Sequence, residues 1–274
     1  VDIWNTADRY LQSVQMGRAQ PERALTYQEA FLVESGTFVA LSDSTLRNLE
    51  MAPDGRWAVG RDEGPYVSDW RPDAADFHRV NTATGERTLM LEEQLTRMVF
   101  GISPDGRNFL YWKDGRFHAY DLEEGTSTTL AVDGPDFTNT EYDHPGTKPP
   151  RGVAGYTKDG RQVIVEDRYD LWTLSLDGEG AAENITNGFG AENRVVLRLV
   201  RPEPLDPMAS RRTRTGQEYD LSRPLTLSAF GELTKKGGFY QLSSGDLTEI
   251  VYDDAMYTTP EKARHAHRYL FTRQ

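Results

Sequence analysis

Ser103-Pro104-Asp105-Gly106-Arg107-Asn108-Phe109-Leu110-Tyr111-Trp112 is the stretch from which the fold of this 274-residue chain can be read. Asp-Gly supplies a two-residue turn in which the glycine takes positive φ without a Cβ clash, and the apolar run behind it enters a strand directly. The phrase recurs as Ala52-Pro53-Asp54-Gly55-Arg56 before Trp57-Ala58-Val59, and as Thr157-Lys158-Asp159-Gly160-Arg161 before Val163-Ile164-Val165. Gly55 and Gly106 lie 51 residues apart, Gly106 and Gly160 54, a period expected of stacked β units. A fourth triplet, Asp114-Gly115-Arg116, falls inside a unit and reads as a hairpin turn.

Each copy is followed by a second hairpin signature. Phe77-His78-Arg79-Val80 precedes Gly85, and Phe117-His118-Ala119-Tyr120 precedes Gly125 at a constant offset of 40 residues. Leu171 to Leu176 with Asp177-Gly178, Gly238 to Leu242 with Gly245, and Tyr27 to Leu32 with Gly36 read as further copies. Strand, turn, strand, Gly-containing turn, strand and a linking strand make a four-stranded antiparallel blade. Such a sheet cannot bury both faces alone, so blades must stack. The expected fold is all-β, a β-propeller seen as a partial or open arc: full blades near 51–91, 98–131, 153–187 and 195–251, with partial blades near 24–48 and 267–274. A chain that begins inside one blade and ends inside another reads as part of a larger ring. Its open blade edges predict self-association, with the strand around Leu270 a candidate for exchange.

Within Leu171–Leu176, alternation assigns Trp172, Leu174 and Leu176 to the core. Trp112 is assigned there too. The best helix signal spans Thr6 to Met16, where Ala7, Tyr10, Leu11 and Val14 share a face. Long loops at 132–152 and 199–221 break the blade rhythm, and loops of that length are functional or mobile. The basic cluster Arg211-Arg212-Thr213-Arg214 in the second reads as solvated chain.

The net charge of −12, with no basic stripe, argues against nucleic acid as a partner. No run approaches the roughly 18 apolar residues of a membrane span, and Val1-Asp2-Ile3-Trp4-Asn5 is not a signal peptide; the start without Met points to a cut or designed N-terminus. With no cysteine there are no disulfides or thiolate metal sites.

The ordered phrases Ser103-Pro104-Asp105-Gly106-Arg107, Asp143-His144-Pro145, Gly152 to Thr157, Asp167-Arg168-Tyr169-Asp170-Leu171-Trp172 and Asn184-Ile185-Thr186-Asn187-Gly188-Phe189-Gly190 resemble a known family. They are similar to the N-terminal propeller of bacterial prolyl-oligopeptidase-family serine peptidases of the dipeptidyl-peptidase-like branch. The likeness continues through Leu227-Ser228-Ala229-Phe230 and Gly238-Phe239-Tyr240. The resemblance implies a propeller that gates and orients peptide substrate for an α/β-hydrolase domain carrying a Ser-Asp-His triad, in an exported or periplasmic protein. That domain is missing from this sequence: Gly-x-Ser-x-Gly occurs nowhere in it, so no catalytic residue is assigned and the chain itself should be inactive. The alternative is a stand-alone protein-binding propeller scaffold of the Tol-system type.

No cofactor is called for. A weaker reading makes the chain a metal-dependent enzyme: Asp133, Asp136, Glu141, Asp143 and His144 gather possible ligands in one loop, and His265 and His267 share a strand face, but neither set has a standard ligand spacing. His78 and His118 occupy matching blade positions and read as packing residues. The resemblance implies a glutamate pair that holds a substrate's free N-terminus; Glu92-Glu93 and Glu123-Glu124 are pairs, without the family's surrounding pattern. Asn184-Ile185-Thr186 fits a glycosylation sequon but reads as a turn.

Overall fold

The computed structural model describes residues 5, 8, 10–68, 71–200, 217–263, 266 and 268–274. The basic cluster at Arg211, Arg212 and Arg214, and the imidazoles of His265 and His267, lie outside the described residues. Two compact units are present, one running to Arg107 and including Leu122–Gly125, the other made of Asn108–Asp121 and Thr126–Gln274.

The first unit opens with helix α1 (Gln12–Arg23) and the hairpin β1 (Glu29–Leu32)/β2 (Thr37–Ala40). The helix is displaced from the span that periodicity marks. It starts after Leu11, has no side-chain cap, contains Pro21 and buries none of its residues, so no apolar face fixes its register. A four-stranded sheet follows, β3 (Leu49–Met51), β4 (Trp57–Asp62), β5 (Ala74–Asn81) and β6 (Arg87–Leu95), in simple sequential order. Leu41, Leu46, Leu49, Ala58 and Val80 form its buried cluster. β7 (Val99–Ile102) follows in this unit, whereas β8 (Asn108–Lys113), β9 (Arg116–Asp121) and β10 (Thr126–Thr129), paired in sequential order, belong to the second.

In the second unit, β11 (Gly152–Thr157), β12 (Gln162–Glu166), β13 (Leu171–Ser175) and β14 (Glu183–Asn184) form the third sheet. A short helix α2 (Phe189–Asn193) leads into β15 (Val195–Val200). A further strand, β16 (Glu218–Tyr219), joins the third sheet beside β11. The fourth sheet is β15 with β17 (Leu225–Gly231), β18 (Gly237–Ser243) and β19 (Asp246–Asp253). The chain ends in β20 (Glu261–Lys262) and β21 (Tyr269–Leu270), paired with each other. Four-stranded antiparallel sheets whose strands follow one another along the chain, interrupted here only by β16, are the blades of a β-propeller, and the chain is all-β in this sense.

The Asp-Gly-Arg triplets divide by turn chemistry, and three of them correct the two-residue turn expected above. At each blade start the turn is four residues long and closes on the glycine. Gly55 N–H donates to Ala52 O, Gly106 to Ser103 O and Gly160 to Thr157 O, each at 2.9 Å. Pro53 and Pro104 occupy its second place, where a fixed φ favours this turn. The aspartate then accepts the arginine amide, as in Asp159 Oδ1 with Arg161 N–H at 3.1 Å. Only Asp114-Gly115 is a true two-residue hairpin, between the paired Lys113 and Arg116, with both φ positive at 51° and 74°.

The alternation along β13 is also corrected. Leu171 and Thr173, assigned to the outer face, are 0% and 1% exposed, while Trp172 is only half-buried. This strand is covered on both faces, so period two does not sort its residues into inside and outside.

Candidate functional site

The sequence phrase Asp167–Trp172 turns the chain between β12 and β13, and Asp167 organises it. Its Oδ1 accepts the amides of Tyr169 (2.7 Å) and Asp170 (2.6 Å), and its Oδ2 accepts the Trp172 indole N–H at 2.7 Å. Asp170, 1% exposed, points the other way. Its carboxylate accepts the Thr186 hydroxyl at 2.7 Å and the amides of Gly190 (2.8 Å) and Ala191 (2.9 Å) in the first turn of α2. Two distant phrases of the sequence are thereby one object. Gly190 is obligatory there, since a Cβ would lie 2.7 Å from Tyr169 O and 2.8 Å from Val195 O. The sequon is a turn, with Asn184 Oδ1 accepting Thr186 N–H at 3.0 Å and the Thr186 side chain buried.

The turn pushes Arg168 and Tyr169 outward into a polar rim. Arg168 reaches Glu141 on the long loop at 2.7 Å and also pairs with Glu232 in the β17–β18 turn. Tyr169 O–H donates to Glu232 at 2.6 Å, and Arg151 pairs with Glu141 at 2.7 Å. Below the rim Arg198 Nε sits 3.0 Å from Glu166, whose pKa burial pushes up against the pull of that guanidinium. The Tyr169 and Arg168 hydrogen bonds hold Glu232 below the usual carboxylate range, and Arg151 and Arg168 do the same for Glu141. Guanidinium, phenol and carboxylates brought together from three segments suit the binding of polar groups on a ligand. Ion pairs this exposed contribute little to stability individually.

The long loop that supplies Glu141 is pinned rather than loose. Phe137, 3% exposed, inserts between the rings of Phe117 (5.9 Å) and Trp172 (6.1 Å), and Thr138 bridges to Pro150. Trp112 Nε1–H donates to Lys148 O at 3.2 Å. Of the possible metal ligands in this loop, Glu141 is engaged by two arginines, Asp133 is exposed, and Asp143 and His144 are exposed and 3.8 Å apart. Asp136 accepts the Thr138 amide at 2.8 Å. Among the described residues no three His, Asp or Glu side chains converge to hold an ion.

The first unit has its own crevice, of about 260 Å³, lined by Arg56, Trp57, Gly106, Arg107, Glu123 and Glu124. Glu123 accepts the Trp57 indole N–H at 3.0 Å and pairs with Arg56 at 3.3 Å. Of the other glutamate pair, Glu93 sits at φ 48° with its amide on Asp76, a bulge position. His118 lies between Lys113 O (3.1 Å) and Thr129 Oγ1 (3.2 Å), stacked on Tyr111, and burial lowers its pKa. His78 is half-buried at the matching place in β5.

An acid limit follows from the rim. A carboxylate whose pKa is lower in the fold than in the unfolded chain adds stability above its unfolded value, about 4, and that contribution disappears as pH falls through the folded value. Glu141, Glu232, Asp136 and Asp159 are all of this kind. Urea midpoints should therefore hold steady from pH 7 to about pH 5 and fall steeply below about pH 4, with a shallower fall in Glu232→Gln. A midpoint unchanged at pH 3 would contradict the assignment.

No family model matches the sequence, and no curated protein matches it. Similar solved structures include TolB proteins, peptidases and an oligogalacturonate lyase. A TolB from Agrobacterium tumefaciens is 14% identical with a TM-score of 0.40, over 79% of this chain and 70% of that one. Porphyromonas gingivalis dipeptidyl peptidase 4 is 12% identical with a TM-score of 0.46, over 84% of this chain and 37% of that one. The β-propeller domain of the Trilobed protease from Pyrococcus furiosus is 12% identical with a TM-score of 0.40, over 82% and 63%. The chain thus spans little more than a third of the dipeptidyl peptidase. The propeller assignment itself rests on the strand order within the sheets. No helix among the described residues is long and apolar enough to cross a membrane.

Proposed function

We propose that this chain is the non-catalytic, substrate-gating propeller portion of a prolyl-oligopeptidase-family serine peptidase of an exported or periplasmic kind. One observation carries the reading. The two most distinctive phrases of the resemblance, Asp167–Trp172 and Asn184–Gly190, are bound to each other through the buried Asp170 carboxylate. The same turn presents Arg168 and Tyr169 to the carboxylates of Glu141 and Glu232, a polar rim suited to the backbone and termini of peptides. Without a Gly-x-Ser-x-Gly elbow in this sequence, the role left to the chain is selection of substrate rather than hydrolysis.

The test compares three proteins: the product of the whole reading frame, the same product lacking these residues, and the chain alone. The whole product should cleave short chromogenic peptides and reject folded proteins, and the truncated one should lose that discrimination. The chain alone should neither cleave such peptides nor react with a fluorophosphonate. A reading frame with no hydrolase segment would instead favour a stand-alone binding scaffold and overturn the proposal.

A further inference from the structure

The third sheet holds a strand that its own hairpins do not supply. β16 comes from beyond β15 in sequence and lies parallel on the edge of β11, pairing Tyr156 with Glu218 and Thr157 with Tyr219. Tyr156 N–H donates to Gln217 O at 2.7 Å, and Lys158 N–H to Tyr219 O at 2.9 Å. Glycine makes the approach possible: a Cβ on Gly155 would lie 2.4 Å from Gln217 O.

β16 covers only part of that edge. Gly155, Tyr156 and Thr157 are buried, whereas Gly152, Val153 and Ala154 are half-exposed. Among the described residues, the strand pairing of Gly152 and Val153 is with β12 alone. Glu166 and Arg198 stand where the part left uncovered by the described residues begins: a Cβ on Gly152 would be 2.7 Å from Glu166 Oε2, and Arg198 Nε is 3.0 Å from the same carboxylate. The edge therefore runs from a carboxylate–guanidinium pair into a strip where a foreign backbone is already seated.

We infer that the β11 edge is a β-augmentation site, at which an extended peptide pairs along Gly152–Thr157 in place of β16. Main-chain hydrogen bonds supply affinity in this mode of recognition, and the peptide takes over the bonds now made by Gln217 and Tyr219. β16 is itself the evidence that the edge accepts an extended chain, and its ladder of two residue pairs is short enough for a longer peptide to displace. The inference rests on the peptide-gating reading for its ligand class and adds the surface and the mode of binding.

The probe is a fluorescein-labelled Lys-Val-Thr-Val-Thr-Val hexapeptide, with anisotropy read on the full chain. N-methylation of alternate peptide amides should weaken binding by about tenfold, the loss expected when backbone bonds worth about 1.4 kcal/mol are removed. Replacing Gln217, Glu218 and Tyr219 together by glycine should tighten binding of the unmodified peptide by a similar factor, because the competing strand is gone. Affinity indifferent to N-methylation, or no binding by the unaltered chain, overturns the inference without needing any variant to fold. Either result leaves the gating proposal standing, since that is decided by the substrate discrimination of the whole protein.

Discussion

Asp170→Ala should lower the stability of the second unit by about 3 kcal/mol and its unfolding temperature by roughly 6–12 °C. The carboxylate is 1% exposed and accepts three hydrogen bonds, two of them from amides at the start of α2. Removing it strands the buried Gly190 N–H and takes the acceptor from the part-buried Ala191 N–H, while the Thr186 hydroxyl keeps Asn184 Oδ1 at 2.9 Å; each group left unsatisfied costs about 1–3 kcal/mol. Part of that loss is recovered as neighbours relax, which is why the total is set below the sum. Asp170→Asn should fall between the two proteins, because it keeps an acceptor oxygen but turns an NH₂ toward groups that are already donors. Calorimetry on the three proteins decides the matter. A loss under about 1 kcal/mol for the alanine variant would mean that the two phrases are held together by something else.

Phe137→Ala should cost about 3–5 kcal/mol, the usual range for emptying a buried phenylalanine site. Its ring is the one large apolar group that the 132–152 loop commits to the core, wedged between Phe117 and Trp172. With the wedge gone, the loop should peel away and take Glu141 from Arg168, so the effect reaches the rim. Limited proteolysis should then cut within residues 139–148 at least about tenfold faster than in the parent, because cleavage tracks the population of the open form. Phe137→Leu, which fills much of the space, should restore most of the resistance. Unchanged protease resistance in the alanine variant would show that the backbone bridge between Thr138 and Pro150 holds the loop alone.

The blades were legible in the sequence because the information that makes them is local. Gly55, Gly106, Gly115 and Gly160 all take the positive φ that their Asp-Gly context implies. What the triplet does not state is which kind of turn it will close. That is decided by the strand register on either side, tight at Lys113–Arg116 and wider at the blade starts. Helix α1 was misplaced for the complementary reason, since a helix that buries none of its residues is not bound to the span where apolar residues share a face.

The rim was mostly hidden. Glu141 was visible as one acid among several in a loop, and Arg168 as part of a phrase, but nothing local joins either to Glu232 in a turn of another sheet. Such a meeting depends on how sheets pack, and residue spacing carries no record of it. The recurring phrases did point to the right elements, because Asp167 and Asp170 build the turn that aims Arg168.

β16 also constrains the order in which the molecule can complete itself during synthesis. Sheets made from consecutive hairpins close almost as soon as they leave the ribosome, since every contact lies near in sequence. The third sheet must wait. Its fifth strand follows β15 in the chain, so among the described residues nothing pairs with the edge of β11 until Gln217 has been made. A bare strand edge is a template for any neighbouring chain. The edge of β11 thus depends for its cover on the arrival of a strand two residues long.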